Sequence, residues 1–165
     1  MIHLEKIDPR NVWDIIGLKV SKAQKKFVTS NDISIVQAYT SIGTGCTAFP
    51  FGIYNDKKAV GFLMVCYNET ALDDYCDDIK TPKTLRNNYS ILSFMIDKRY
   101  QKRGYGREAM KLALDFIKTF PCGKAKYCFL SYVPDNDVAA KFYHSFGFQE
   151  DGEKIGYTTV AVLKL

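Results

Sequence analysis

Apolar and polar residues alternate from Ile2 to Ile7, the period of a half-buried strand. Asp8-Pro9 then opens a helix whose apolar positions run through Trp13, Ile16 and Val20, and a second helix is expected to start at Asn31 or Asp32. Phe49 to Tyr54 and Ala59 to Tyr67 flank the polar Asn55-Asp56-Lys57-Lys58, which predicts a β-hairpin. Tyr89 to Ile96 predicts another buried strand. Behind Gly106, the residues Ala109, Leu112, Ala113, Phe116 and Ile117 recur at helical spacing, and Pro121 and Gly123 stop that helix. Tyr127 to Val133 reads as a strand. Asp135 or Asn136 caps a helix from Asp137 to about Phe146, Gly147 ends it, and Tyr157 to Leu165 is a last strand. An N-terminal strand and helices, a hairpin, then strand-helix-strand-helix-strand predict an α/β (α+β) fold around a mixed sheet.

A chain of 165 residues with 47% hydrophobic content fits one domain over residues 1–165 and can bury a core without disulfides or a structural metal. The five cysteines, Cys46, Cys66, Cys76, Cys122 and Cys128, are odd in number and include no C-x-x-C pair. No secretory leader is evident, so they are expected to be reduced thiols of a cytoplasmic protein, with no metal site. No apolar run approaches the ~18 residues of a membrane span, so no membrane partner is expected. The net charge of +5 favours an anionic partner, and its distribution says more than its total. Cations gather at Lys98, Arg99, Lys102, Arg103, Arg107 and Lys111, whereas Glu69, Asp73, Asp74, Asp77 and Asp78 form an acidic stretch. The pair suits an anionic cofactor and a cationic substrate, and equally two solvated surfaces.

The strand Tyr89 to Ile96, a basic turn containing Gly104 and Gly106, and a strong helix together predict an anion site. Glycines let backbone approach a ligand, and the first amides of a helix point at it with the positive end of the dipole. A Walker A loop is excluded because no G-x-x-x-x-G-K-S/T occurs. Gly104, Gly106 and Ala109 satisfy a dinucleotide fingerprint, but seven residues separate Ile96 from Gly104, where the fingerprint puts its glycines directly after the strand. Gln101-Lys102-Arg103-Gly104-Tyr105-Gly106 resembles the Q/R-x-x-G-x-G/A signature of the GNAT superfamily of acetyl-CoA-dependent N-acetyltransferases. Downstream, Asn136-Asp137-Val138-Ala139-Ala140-Lys141-Phe142-Tyr143, then Gly147-Phe148, resembles that family's N-x-x-A-x-x-x-Y-x-x-x-G-F. Phe27 to Tyr39 and Phe94 to Gln101 further resemble the spermine/spermidine acetyltransferase branch.

The resemblance implies the GNAT fold, a mostly antiparallel sheet with helices on both faces and a splayed strand pair that admits the pantetheine arm of acetyl-CoA. It implies that main chain at Phe94, Met95 and Ile96 holds that arm, while Gln101, Lys102, Arg103, Gly104, Tyr105, Gly106 and Arg107 receive the phosphates. It also implies that Asn136 hydrogen-bonds the pantetheine and Tyr143 donates a proton to the departing thiolate; a core-aromatic role for Tyr143 remains open. An alkyl ammonium must lose a proton before it attacks, and Glu69, or water relayed past Tyr89 or Ser93, is the candidate base. Glu69, Asp73 and Asp74 would attract the cationic amine. The expected activity is acetyl transfer from acetyl-CoA to a primary amine of a small polycation, with spermine or spermidine as the branch substrate. A protein N-terminus or lysine and an aminoglycoside are the alternatives within the fold. A basic nucleic-acid-binding module is the alternative outside it, and no helix-turn-helix, zinc or RRM signature supports one. A homodimer is compatible with the sequence.

Overall fold

The computed structural model describes residues 1–69 and 81–165. Its centre is a seven-stranded sheet in the order β1-β2-β3-β4-β5-β7-β6. The strands are β1 (Ile2–Lys6), β2 (Thr47–Asn55), β3 (Lys58–Tyr67), β4 (Tyr89–Ile96), β5 (Tyr127–Tyr132), β6 (Gln149–Ile155) and β7 (Thr158–Lys164). The helices are α1 (Val12–Gly17), α2 (Asn31–Thr40), α3 (Tyr105–Lys118) and α4 (Asp137–His144). All neighbours pair antiparallel except β4 and β5.

The central strand β3 sorts the core by parity, because successive side chains of a strand point to opposite faces. Phe62, Met64 and Cys66 join Ile15 and Leu18 from the α1 region, while Leu63 and Val65 join Ala109, Met110, Ala113 and Ile117 of α3. Helices therefore cover both faces, with α1 and α2 on one and α3 on the other. Gly52 makes room on the α1 side, since a Cβ there would stand 2.6 Å from the Ile15 side chain.

Two expectations are corrected, and one strand was not foreseen. The first helix does not run to Val20: it ends at Gly17, because Leu18 turns extended and the chain leaves to meet β4. There the Lys98 amide donates to the Lys19 carbonyl (3.0 Å), and the Lys19 amide donates to buried Asp97 (2.8 Å). The helix also turns differently from its apolar pattern, burying Ile15 and leaving Trp13 76% exposed. The last strand expected over Tyr157 to Leu165 is β7, but it pairs with a strand that was not expected, β6, whose polar Gln149-Glu150-Asp151-Gly152-Glu153-Lys154 carries no apolar signal at a sheet edge. The helix α4 stops at His144, two residues before Phe146.

Candidate active site

Two irregularities in β4 open the sheet. Met64 lies opposite Ser93 but Val65 lies opposite Ile91, so Leu92 is an extra residue bulged out of the ladder. On its other side β4 pairs with β5 only at Tyr89↔Cys128 and Ser90↔Phe129. From Ile91 onward that edge has no strand beside it, and a cleft of about 640 Å³ occupies the gap. Leu92, Phe94, Ile96, Ser131 and Tyr132 line its strand walls, and α4 closes one side with Asn136, Phe142 and Tyr143. Phe27, Val28 and Thr29, from the segment before α2, close another.

The cleft ends at the basic glycine turn. Lys102 (φ 62°) and Gly104 (φ 83°) are both left-handed. That backbone is free for glycine but costs a residue such as Lys roughly 1–2 kcal/mol, a strain typical of ligand-binding turns. The amides of Gly104, Tyr105 and Gly106 have no acceptor among the described residues. They face outward at the positive end of the 14-residue helix α3. A Cβ on Gly104 would meet nothing within 4 Å, so the turn is open beside that residue. Lys102 and Arg107 line the mouth, and the Arg107 guanidinium is steered by the Ser145 hydroxyl (3.0 Å) and the Phe146 ring (5.1 Å).

Side chains of the two signatures are partly committed to the fold. Gln101 Nε2 donates to the Ile96 carbonyl (2.8 Å) and to Gln24 Oε1 (3.1 Å), fastening the turn to β4 and to the segment before α2. Asn136 Oδ1 caps α4 by accepting from the Ala139 amide (3.2 Å), and the residue lines the cleft. Arg103 does not line the cleft; its guanidinium lies over the Tyr100 ring at 5.7 Å. Asp97 anchors the turn from below. Burial alone would raise its carboxyl, but hydrogen bonds from the Arg99 guanidinium and the Lys19 and Arg99 amides outweigh that and hold it below the usual carboxylate range.

Tyr143 stands at the inner end of the cleft. Its ring meets Phe142 at 5.5 Å, Tyr132 at 5.9 Å and Phe148 at 6.1 Å, while its hydroxyl has no hydrogen-bond partner among the described residues. Desolvation pushes its pKa up to about 12, so it keeps its proton through the neutral range. Tyr132 donates its hydroxyl to Glu150 (2.5 Å), and burial together with that carboxylate pushes it higher still.

Glu69 lies just beyond β3 and outside the cleft lining, and accepts a hydrogen bond from the Ser90 hydroxyl. Asp73, Asp74, Asp77, Asp78 and Cys76 fall outside the described residues. The other four cysteines are free, and burial raises the Cys128 thiol, which disfavours a thiolate nucleophile there. No described helix is long and apolar enough to cross a membrane. The bulge at Leu92 and the wall from Gln24 to Thr29 were missed by sequence reasoning: the bulge has no marker residue, and the wall reaches the turn only through tertiary contact. Tyr132 was legible in principle, since alternation along β5 puts it on the α4 face with Cys128 and Leu130.

Separated parallel strands leading to unpaired amides at a helix start, with cations beside them, fit a long ligand ending in phosphates. The sequence relations agree. The acetyltransferase (GNAT) family profile matches residues 12–148, and the chain belongs to that family. It is an acetyl-CoA-dependent N-acetyltransferase with acetyl-CoA as its cosubstrate. A spermine/spermidine N(1)-acetyltransferase of Bacillus subtilis is 28% identical over 153 residues, covering 92% of this chain and 90% of that protein. An N-alpha-acetyltransferase RimI of Mycobacterium tuberculosis is 36% identical over 73 residues, 44% of this chain and 42% of that one. The crystal structure of a spermidine N-acetyltransferase from Vibrio cholerae in complex with CoA and spermine superposes with a TM-score of 0.63 at 17% identity, over 99% of this chain and 94% of that chain. At that identity the likeness is one of fold.

Proposed function

We propose that this enzyme acetylates a primary amine of a small polycation, spermine or spermidine, by direct attack on the thioester. The 28% identity to a spermine/spermidine acetyltransferase across 92% of the chain carries the substrate class. In this reading the amides from Gly104 to Gly106, with Lys102 and Arg107, receive the pyrophosphate, and the side chains of Gln101 and Arg103 shape the turn rather than touch it. The open edge of β4 at Phe94, Met95 and Ile96, and Asn136 Nδ2, hold the pantetheine arm. A β4 amide beside the bulge donates to the oxygen that gains charge as the amine attacks, an interaction often worth ~2.7–4 kcal/mol. Tyr143 donates to the sulfur as it leaves. Glu69 takes the proton of the ammonium, and Asp73 and Asp74 complete the attraction for a polycation.

Among the described residues the cleft lining holds no carboxylate, so hydroxyl and carbonyl oxygens would supply its inner contacts to the amine. A protein N-terminus is the second reading, favoured by the 36% identity to RimI over 44% of the chain. Release of CoA across spermine, spermidine, putrescine, an aminoglycoside, lysine peptides and N-terminal peptides decides between them. Spermine or spermidine should exceed every peptide at least tenfold in kcat/KM, and a peptide preference overturns the polyamine reading.

The same proposal places the enzyme in the cytoplasm as a homodimer. Ile33, Val36, Tyr39 and Ile42 follow one another at every third position along α2 and just past it, 50–75% exposed. Between Phe27 and Cys46 the one charged residue is Asp32, so two copies of a +5 chain can meet there without opposing like charges. The ridge offers on the order of 500 Å² per protomer, more than half of the ~800 Å² that one side of a standard interface buries.

A further inference from the structure

Between α1 and α2 the chain makes a single helical turn, Lys22–Gln24, and then passes Phe27, Val28 and Thr29 along the cleft. Ser21-Lys22-Ala23-Gln24 has the capping-box pattern, and Gln24 Oε1 accepts from the Ser21 amide (3.1 Å) as that pattern requires. A cap alone would use the side chain only there. Gln24 also pairs with Gln101, 77 residues on: its Oε1 accepts from Gln101 Nε2 (3.1 Å), and its Nε2 donates to Gln101 Oε1 (3.3 Å). Gln101 Nε2 donates as well to the Ile96 carbonyl at the end of β4 (2.8 Å). Both glutamines line the cleft.

Phe27, Val28 and Thr29 have little else to hold them. Among the described residues their one hydrogen bond runs from the Phe27 amide to the Gln24 carbonyl (2.9 Å). Val28 packs against the core beneath α1 and α2, and the next polar anchor is Asn31, whose Nδ2 donates to the Ile15 carbonyl (2.8 Å). Gln24 therefore carries the near end of this wall. Its main chain holds Phe27, and its side chain holds the first residue of the glycine-turn signature. In the function proposed above, acetyl-CoA takes the turn, the open edge of β4 and α4, which leaves the wall of Phe27 to Thr29 for the amine.

We propose that Gln24 is a positioning residue for the acceptor: through Gln101 it fixes the wall against the phosphate turn, so that the amine meets a preformed surface. This rests on the amine-acetylating function proposed above. A wall that is in place for only part of the time binds with an apparent affinity reduced by that fraction. The cosubstrate does not feel the loss, because the main-chain amides of Gly104 to Gly106 receive its phosphates and Gln101 keeps its bond to Ile96.

The test is Gln24→Leu, with steady-state KM for the amine, calorimetry of CoA binding and a melting curve. The pair has two neutral hydrogen bonds, each worth a factor of roughly 2–12, so amine KM should rise about 10-fold. CoA affinity should stay within about twofold. Gln24→Glu, which still accepts from the Ser21 amide and Gln101 Nε2, should restore KM to within about threefold of wild type. Gln24→Asn, too short to reach Gln101, should raise KM as Gln24→Leu does, and it serves if the Leu variant does not fold. The double variant Gln24→Leu/Gln101→Leu should raise amine KM no further than Gln101→Leu alone, since the two side chains act as one unit. Unchanged amine KM in a folded Gln24→Leu, CoA affinity falling by the same factor as amine KM, or additive effects in the double variant each overturn the proposal. The acceptor is whichever amine the wild type acetylates best, so a preference for peptides overturns the polyamine reading and leaves the role of Gln24 to be decided by the same KM split.

Discussion

Removing the Tyr143 hydroxyl separates its two roles. Tyr143→Phe keeps the ring against Phe142, Tyr132 and Phe148, the contacts at 5.5–6.1 Å. A phenol held at about 12 is a poor acid toward a thiolate whose conjugate acid lies near 8.5. Full transfer is then uphill by ~3.5 pH units, about 5 kcal/mol, so the useful interaction is a hydrogen bond to the sulfur as it gains charge. Hydrogen bonds to charged groups contribute roughly 1.5–3 kcal/mol, which predicts a ~10- to 150-fold loss of kcat at unchanged CoA affinity. The assay is single-turnover CoA release, where chemistry limits the rate. The fold should not suffer, because the hydroxyl has no partner among the described residues to lose. Tyr143→Ala, which also removes the ring, should cost about 2–4 kcal/mol of stability. In alkali the sign is fixed by the raised pKa: the stability tied to the protonated hydroxyl is complete below pH ~10 and is lost as pH climbs through 12, a loss Tyr143→Phe should not show. A Phe variant within twofold of wild-type kcat refutes the acid role and leaves Tyr143 a core aromatic.

Gly104→Val should weaken CoA binding at least tenfold by calorimetry while Gly106→Ala should not, since a Cβ on Gly106 meets only ordinary contacts at 3.6–3.9 Å and leaves the turn unchanged. Unchanged affinity in a folded Gly104→Val would remove the phosphates from this turn. Asp97→Ala should destabilise the protein by roughly 2–3 kcal/mol in urea, because it strips buried partners from the Lys19 and Arg99 amides. With its pKa depressed, Asp97 stabilises above the ordinary carboxylate range and loses that contribution as pH falls through its lowered value, so the deficit of the Ala variant should shrink in acid. Val36→Glu should convert a dimer into a monomer in light scattering; monomeric wild type at micromolar concentration would refute the α2 interface.

Elements with a strong period were legible in the sequence. In α3 the stripe Ala109, Ala113 and Ile117 is fully buried, as its spacing requires, and β4 spans the residues its apolar run marks. The failures have physical causes. The segment after Gly17 is held by an amide-to-carboxylate bond to Asp97, 78 residues away, which no local pattern records. The edge strand β6 half-buries only its last residue, Ile155, so no apolar alternation announces it.

The site was legible in a different sense. Its two signatures marked the turn and α4, yet residue type alone could not divide ligand-facing atoms from structural ones. Gln101 and Asn136 each spend a side-chain group on the fold, one fastening β4 to Gln24 and the other capping a helix, so the motif constrains local backbone as much as it supplies contacts. What receives phosphate in the proposed function is mostly main chain, made available by left-handed φ at Lys102 and Gly104. The acceptor side shows the converse. Ser90 and Ser93 are ordinary strand serines in sequence, three apart and so expected on opposite faces. One extra residue, Leu92, turns them to the same face, toward the core beneath α1 and α2. A bulge has no reliable residue signature because it is a relation between two strands. The shared face of Ser90 and Ser93 was therefore unreadable until the register of β3 against β4 was known.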